Sequence, residues 1–280
     1  MSKVDDEVSI ARITIPGTHD SGALLEPLPG TARTQSANIS EQLEFGVRLL
    51  DVRCRHIDDG FQIHHGMVNQ NQSFDDVLKC LVDFLDANPS EVVVMSVNQE
   101  FTPKNNTRSF QATFDAYVAK DRASWYLRSE VPKLGGVRGR MVLLRRFARS
   151  SPMGIDASRW PGNRSFSRKG LRVQDEYQVK EVGLKWAAVL AGLEAAMESK
   201  GSGFIYLNFT SGVKSGRLGL PDITDVSRAI NPKLIRYFKG ADPGFYGWLM
   251  MDFATPELVE LVYSSNFPDG GGSSLDPMGR

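Results

Sequence analysis

The chain has 280 residues, with 33 Lys+Arg balanced by 33 Asp+Glu and 41% hydrophobic residues. A formal charge of zero supplies no broad basic field for nucleic acid, and the apolar share excludes whole-chain disorder, collagen and coiled coil. No apolar run approaches the ~18 residues of a membrane span, and the charged start MSKVDDEVSI lacks the apolar stretch of a signal peptide.

In chain order, β-branched apolar runs predict strands at 11–17, 47–55 and 61–66, and the amphipathic stretch 73–91 predicts a helix. A strand follows at 91–100, a helix at 111–120, a strand at 139–147, a helix over 179–201 with Gly201 as its stop, and strands at 203–211 and 246–254. The last helix, 255–266, begins with Thr255 as cap and Pro256 at its first position. Most of the strands are apolar throughout, as strands buried on both faces should be. Strand and helix alternate without a Pro/Gly/Ser-rich linker, which predicts an α/β chain closing into one parallel barrel over 1–266, with 267–280 a disordered tail. Cys54 and Cys80 lack a CxxC spacing and read as buried thiols.

Ionisable residues gather at the C-terminal ends of these strands: His19, Asp51, Arg53, His65, Glu100, Arg146 and Asp252. Barrel active sites sit at that rim. Period-2 geometry puts Asp51 and Arg53 on one face of their strand, and Asn98 and Glu100 on one face of theirs. Of the four histidines, His56 is expected in a solvated loop, and spacing alone makes His19 equally a turn residue beside Gly17, Asp20 and Ser21. His64 and His65 must face opposite sides of an extended strand, and parity leaves open which of them enters the mouth.

The segments ITIPGTHDSGA (13–23), FGVRLLDVRCR (45–55), IHHG (63–66), NPSEVVVMS (88–96), VLLRRF (142–147), VQDEYQV (173–179), YLNFTS (206–211), INPKL (230–234) and GWLMMDF (247–253) fall in order over most of the chain. Together they resemble bacterial phosphatidylinositol-specific phospholipase C, in its metal-independent branch. The resemblance implies a distorted TIM-type barrel that cleaves phosphatidylinositol to diacylglycerol and inositol 1,2-cyclic phosphate. It implies His19 as general base oriented by Asp252, His65 as general acid with Asp20 as carboxylate partner, and Arg53 on the phosphoryl oxygens. Two imidazoles titrating near pH 7 suit such a transfer, and a fixed guanidinium steadies the growing charge without a metal or other cofactor. For the head group, the resemblance implicates Arg146 and Asp175 in hydrogen bonds to inositol hydroxyls and Tyr177 as a stacking platform. Asp51 would pair with or orient Arg53, and Asn98 stands where close relatives carry a lysine.

Around the mouth, LLEPLPG (24–30) and GVKSGRLGLPD (212–222) are candidate membrane-contact segments through Leu24, Leu25, Leu28, Leu218 and Leu220, with Trp160 as an aromatic candidate. The implied partners are phosphatidylinositol, glycosylphosphatidylinositol anchors and a transiently touched membrane surface. The protein is expected to be a secreted monomer that binds no nucleic acid. Three rivals are weighed: a calcium-dependent phospholipase C using Asp20, Asp51 and Glu100 as oxygen ligands, a glycerophosphodiester phosphodiesterase, and a catalytically silent inositol-lipid-binding barrel. THDS and DVR argue against the second, and retention of both histidines, their carboxylates and Arg53 against the third.

Overall fold

A computed structural model describes residues 1–199, 203–216 and 219–268. The elements run β1 (Ile15–Thr18), α1 (Ile39–Phe45), β2 (Leu49–Ile57), β3 (Gly60–His65), β4 (Val68–Ser73), α2 (Phe74–Ala87), β5 (Val92–Gln99), α3 (Phe110–Lys120), β6 (Trp125–Tyr126), β7 (Arg140–Arg145), β8 (Ile155–Asp156), β9 (Arg164–Arg168) and β10 (Leu171–Asp175). They continue with α4 (Val182–Met197), β11 (Ile205–Phe209), β12 (Lys214–Ser215), β13 (Pro221–Asp222), α5 (Thr224–Lys239), β14 (Trp248–Met251) and α6 (Pro256–Ser264). Thr255 caps α6 through Leu258 N with Pro256 at its start, as the sequence predicts, and the structure adds a reciprocal cap of α2 by Ser73 and Asp76.

The main sheet has the order β6-β7-β5-β2-β1-β14-β11-β10-β9, parallel except for the antiparallel β9–β10 pair. The ladder corrects two expectations. Among the described residues no pairing joins β9 to β6 or β8, so the barrel is distorted and open at one seam instead of closed. The 61–66 run is not a barrel stave either, because β3 turns back antiparallel on β2 and leads into β4. The predicted 267–280 tail lies, from residue 269 onward, outside the described residues, as does the predicted stop at Gly201.

Alternation along the strands divides the core into two layers. Ile15, Leu49, Val94, Val142, Val173, Leu207 and Met250 fill the inside of the curved sheet, while Leu50, Val93, Met95, Leu143 and Leu249 lie under the helices. The apolar-throughout strands are therefore buried on both faces. Gly17 lies on the inner face where strands crowd it: a Cβ there would stand 2.7 Å from the Leu249 carbonyl oxygen and 2.8 Å from Leu49. Two helices were not predicted. α1 is only two turns long, and α5 carries Pro232 and a largely charged surface. Cys54 is buried and Cys80 half-buried, and both are free thiols.

Candidate active site

Continuing the inner-face parity one or two residues past each parallel strand places His19 after β1, Asp51 and Arg53 on β2, Asn98 and Glu100 at the end of β5, Arg146 after β7, Asp175 ending β10, and Asp252 after β14. The same parity brings in Ser96 on β5 and Phe209 on β11. His65, on the return strand β3, joins them. A cavity of about 560 Å³ opens here, lined by His19, Arg53, His65, Asn98, Arg146 and Trp160 among others, with Asp175, Tyr177, Val213, Ile223 and Asp252.

His19 Nδ1 donates to Asp252 Oδ1 at 2.8 Å, and its Nε2 accepts from Arg53 Nη2 at 2.7 Å. The ring is therefore held as the tautomer whose Nε2 lone pair faces the cavity. Burial disfavours an imidazolium and Arg53 opposes it, but the Asp252 carboxylate, through its charge and its hydrogen bond and with Asp51 behind it, tips the balance, so His19 titrates above its ordinary value. Phe209 packs edge-on against the ring with centroids 6.0 Å apart.

Arg53 is ringed by carboxylates, with Asp51 at 3.1 Å, Asp20 at 3.7 Å and Glu100 at 3.8 Å. Against the cost of burial, these anions hold its pKa above the normal guanidinium value, so it is a permanent cation. Asp51 is fully buried and receives Arg53, Arg146, Ser96 Oγ and the Asp20 amide. Despite complete burial, the two arginines keep its carboxyl well below the usual range. Asp51 therefore pairs with Arg53, as the sequence suggests, and with Arg146 as well, orienting both arginines from beneath. Glu100 Oε1 accepts from the Gly66 amide at 2.8 Å and fixes the turn after His65.

The histidine pair resolves by burial. His65 reaches the cavity, whereas His64 is 2% exposed and faces away. His65 Nδ1 bonds the Ala32 carbonyl at 2.5 Å, and Asp20 Oδ2 lies 3.6 Å from the same nitrogen. The expected carboxylate partner is therefore adjacent, but a backbone carbonyl holds the ring. Asp20 itself makes no side-chain hydrogen bond, and burial pushes it up to about 6 in spite of Arg53 and His65. His56 corrects another expectation: it is buried on β2, with Nε2 against Thr113 Oγ1.

On the far wall, the Arg146 guanidinium stacks 4.0 Å from the Trp160 ring, and its buried Nε has no partner. Trp160 Nε1 donates to Asp175 Oδ2 at 2.8 Å. Trp160 is thus a half-buried wall of the cavity that contacts both Arg146 and Asp175. Tyr177 is 36% exposed at the cavity edge. Of the candidate membrane-contact residues, Leu25, Leu28 and Leu220 are exposed, Leu24 is half-buried, and Leu218 lies outside the described residues. The Ile223 amide donates to the Gly30 carbonyl, joining the two rim segments on one side.

Comparison with known proteins agrees with this arrangement. The family model described as "Phosphatidylinositol-specific phospholipase C, X domain" matches residues 18–147. The chain is 31% identical to a Staphylococcus aureus 1-phosphatidylinositol phosphodiesterase over 274 residues, covering 91% of this chain and 87% of that protein. It is 28% identical to the Listeria monocytogenes 1-phosphatidylinositol phosphodiesterase, covering 95% and 84% respectively. A solved variant of the Staphylococcus aureus phosphatidylinositol-specific phospholipase C superposes with a TM-score of 0.86 at 28% identity, covering 95% of each chain. By sequence over nearly its whole length and by fold, the chain belongs to the phosphatidylinositol-specific phospholipase C family.

Proposed function

We propose that residues 1–266 form a single catalytic domain that cleaves phosphatidylinositol into diacylglycerol and inositol 1,2-cyclic phosphate. The observation that carries the mechanism is that His19 and His65 open on one cavity with Arg53 beside them. In the free protein Arg53 Nη2 occupies His19 Nε2. A substrate phosphate draws the guanidinium toward its own oxygens and frees that lone pair. His19 then takes the proton of the inositol 2-hydroxyl, and the alkoxide attacks phosphorus. Arg53 neutralises the charge growing on the phosphoryl oxygens. The bond to the glycerol oxygen breaks, and His65 supplies the proton that oxygen needs.

The Arg146 guanidinium, the Asp175 carboxylate and the Tyr177 ring, all lining the cavity, suit a hydroxyl-rich ring, and Asn98 offers an amide near the phosphate. Asp20, Asp51 and Glu100 already enclose the Arg53 cation, which supports a guanidinium where the calcium-dependent reading requires a metal. The exposed Leu25, Leu28 and Leu220, on segments joined through the Gly30–Ile223 hydrogen bond, suit transient contact with a lipid surface. The reading extends to glycosylphosphatidylinositol anchors as substrates and to a secreted, monomeric protein.

Phosphorus NMR of phosphatidylinositol digestion, with and without chelator, tests this. Cyclic phosphate should accumulate first at equal rates in both. Acyclic phosphate with no cyclic precursor would overturn the role of His19.

A further inference from the structure

Residues Ala32–Gln35 follow the exposed rim segment and are buried at Ala32, Thr34 and Gln35. This stretch touches the backbone or ring of each catalytic turn. The Ala32 carbonyl accepts from His65 Nδ1. Thr34 Oγ1 donates to the Asp20 carbonyl at 2.8 Å, and the Thr34 carbonyl accepts from the Phe253 amide at 2.7 Å. Gln35 Nε2 donates to two carbonyls, those of His19 at 2.9 Å and Met251 at 2.8 Å, while its Oε1 accepts from the Ala254 amide at 3.3 Å.

Asp20 and Phe253, the residues just beyond His19 and Asp252, both hold left-handed backbone, with φ of 43° and 48°. Side chains other than glycine rarely adopt that region unless their surroundings hold them there. The His19–Asp252 hydrogen bond joins two turns that are remote in sequence, and its length depends on how those turns are docked. We propose that Gln35 and Thr34 are positioning residues that stitch the His19–Asp20 turn to the Asp252–Phe253 turn and so set the geometry of the base and its carboxylate. Neither side chain lines the cavity. The inference deepens the proposed function and rests on His19 being the base.

The test uses Gln35→Met, which keeps the volume and removes both donors, together with Thr34→Val and Thr34→Ser. Each variant is assayed on phosphatidylinositol in detergent micelles for kcat, KM and the pH profile of kcat/KM, with a melting curve alongside. Gln35→Met should lower kcat roughly 10- to 100-fold with KM within about twofold, because reacting groups misplaced by less than an ångström lose rate, not affinity. The charged groups facing His19, namely Asp252, Arg53, Asp51 and Asp20, are unchanged in every variant. A loosened Asp252 pairing should therefore move the acid limb of the profile to lower pH, which a smaller folded fraction cannot do. Thr34→Val should shift both readouts in the same direction, and Thr34→Ser should restore them.

A folded Gln35→Met with wild-type kcat and an unmoved acid limb overturns the proposal. If that variant does not fold, the Thr34 pair decides: Thr34→Val indistinguishable from Thr34→Ser in kcat and acid limb overturns it. His19→Ala separates the two levels, since retained turnover there would remove the base assignment itself, whereas an inactive His19→Ala with unaffected Gln35→Met and Thr34→Val removes only the positioning role.

Discussion

Asp20 carries a cost that a single isosteric change should release. Its carboxylate is fully buried, makes no hydrogen bond, and titrates near 6 because burial outweighs its attraction to Arg53 and His65. An unfolded aspartate ionises near pH 4, so the native state holds the proton more tightly than the unfolded chain does. Below pH 4 both states are protonated and nothing is lost. As pH rises from about 4 to 6 stability falls, and above 6 the full penalty remains, at most roughly 3 kcal/mol from ~1.4 kcal/mol per pH unit. Asp20→Asn cannot ionise and should therefore be more stable than the parent at pH 7.5, by up to ~3 kcal/mol or roughly 5 °C for a chain of this length. The gain should vanish near pH 4. Turnover should fall, because the variant removes the negative charge beside His65 and Arg53. Urea unfolding of both proteins at pH 4.0 and 7.5, with initial rates on phosphatidylinositol, measures both effects. An Asp20→Asn protein equally destabilised at both pH values would refute the reasoning, because it would show that the carboxylate's contacts outweigh its burial.

Arg53→Ala should lower kcat/KM by more than the ~2.7–4 kcal/mol typical of losing one oxyanion donor, since this donor is charged, and wild-type rates in excess EDTA should equal those in calcium. Loss of wild-type activity on chelation, restored by calcium, would replace the guanidinium reading. Asp252→Asn removes the charge that raises His19 against burial and Arg53. Because the base must be neutral to act, the acid limb of kcat/KM should move to lower pH while maximal turnover drops; an unmoved limb assigns that pKa to another group.

Much of this site was legible in one dimension because strand parity is a local rule. Alternation along 47–55 put Asp51 and Arg53 on a common face, and the same count, carried through the other strands, reaches Ser96 and Phe209, which went unnoticed because neither residue type advertises chemistry. The family motifs supplied His19, His65 and Asp252 as a set. Tertiary structure alone decided the rest, since burial and partner choice depend on segments far apart in the chain. It chose His65 over His64 by turning β3 back on β2, gave His65 Nδ1 the Ala32 carbonyl with the Asp20 carboxylate 3.6 Å away, buried Asp51 beneath the two arginines and tied Glu100 to the turn after His65. It left the barrel open at a seam, which no periodicity reports because ladder closure depends on how the terminal strands meet. Gln35 shows the limit most plainly: a lone polar residue in TARTQSAN carries no local signal, and its importance exists only where two distant turns converge on one amide.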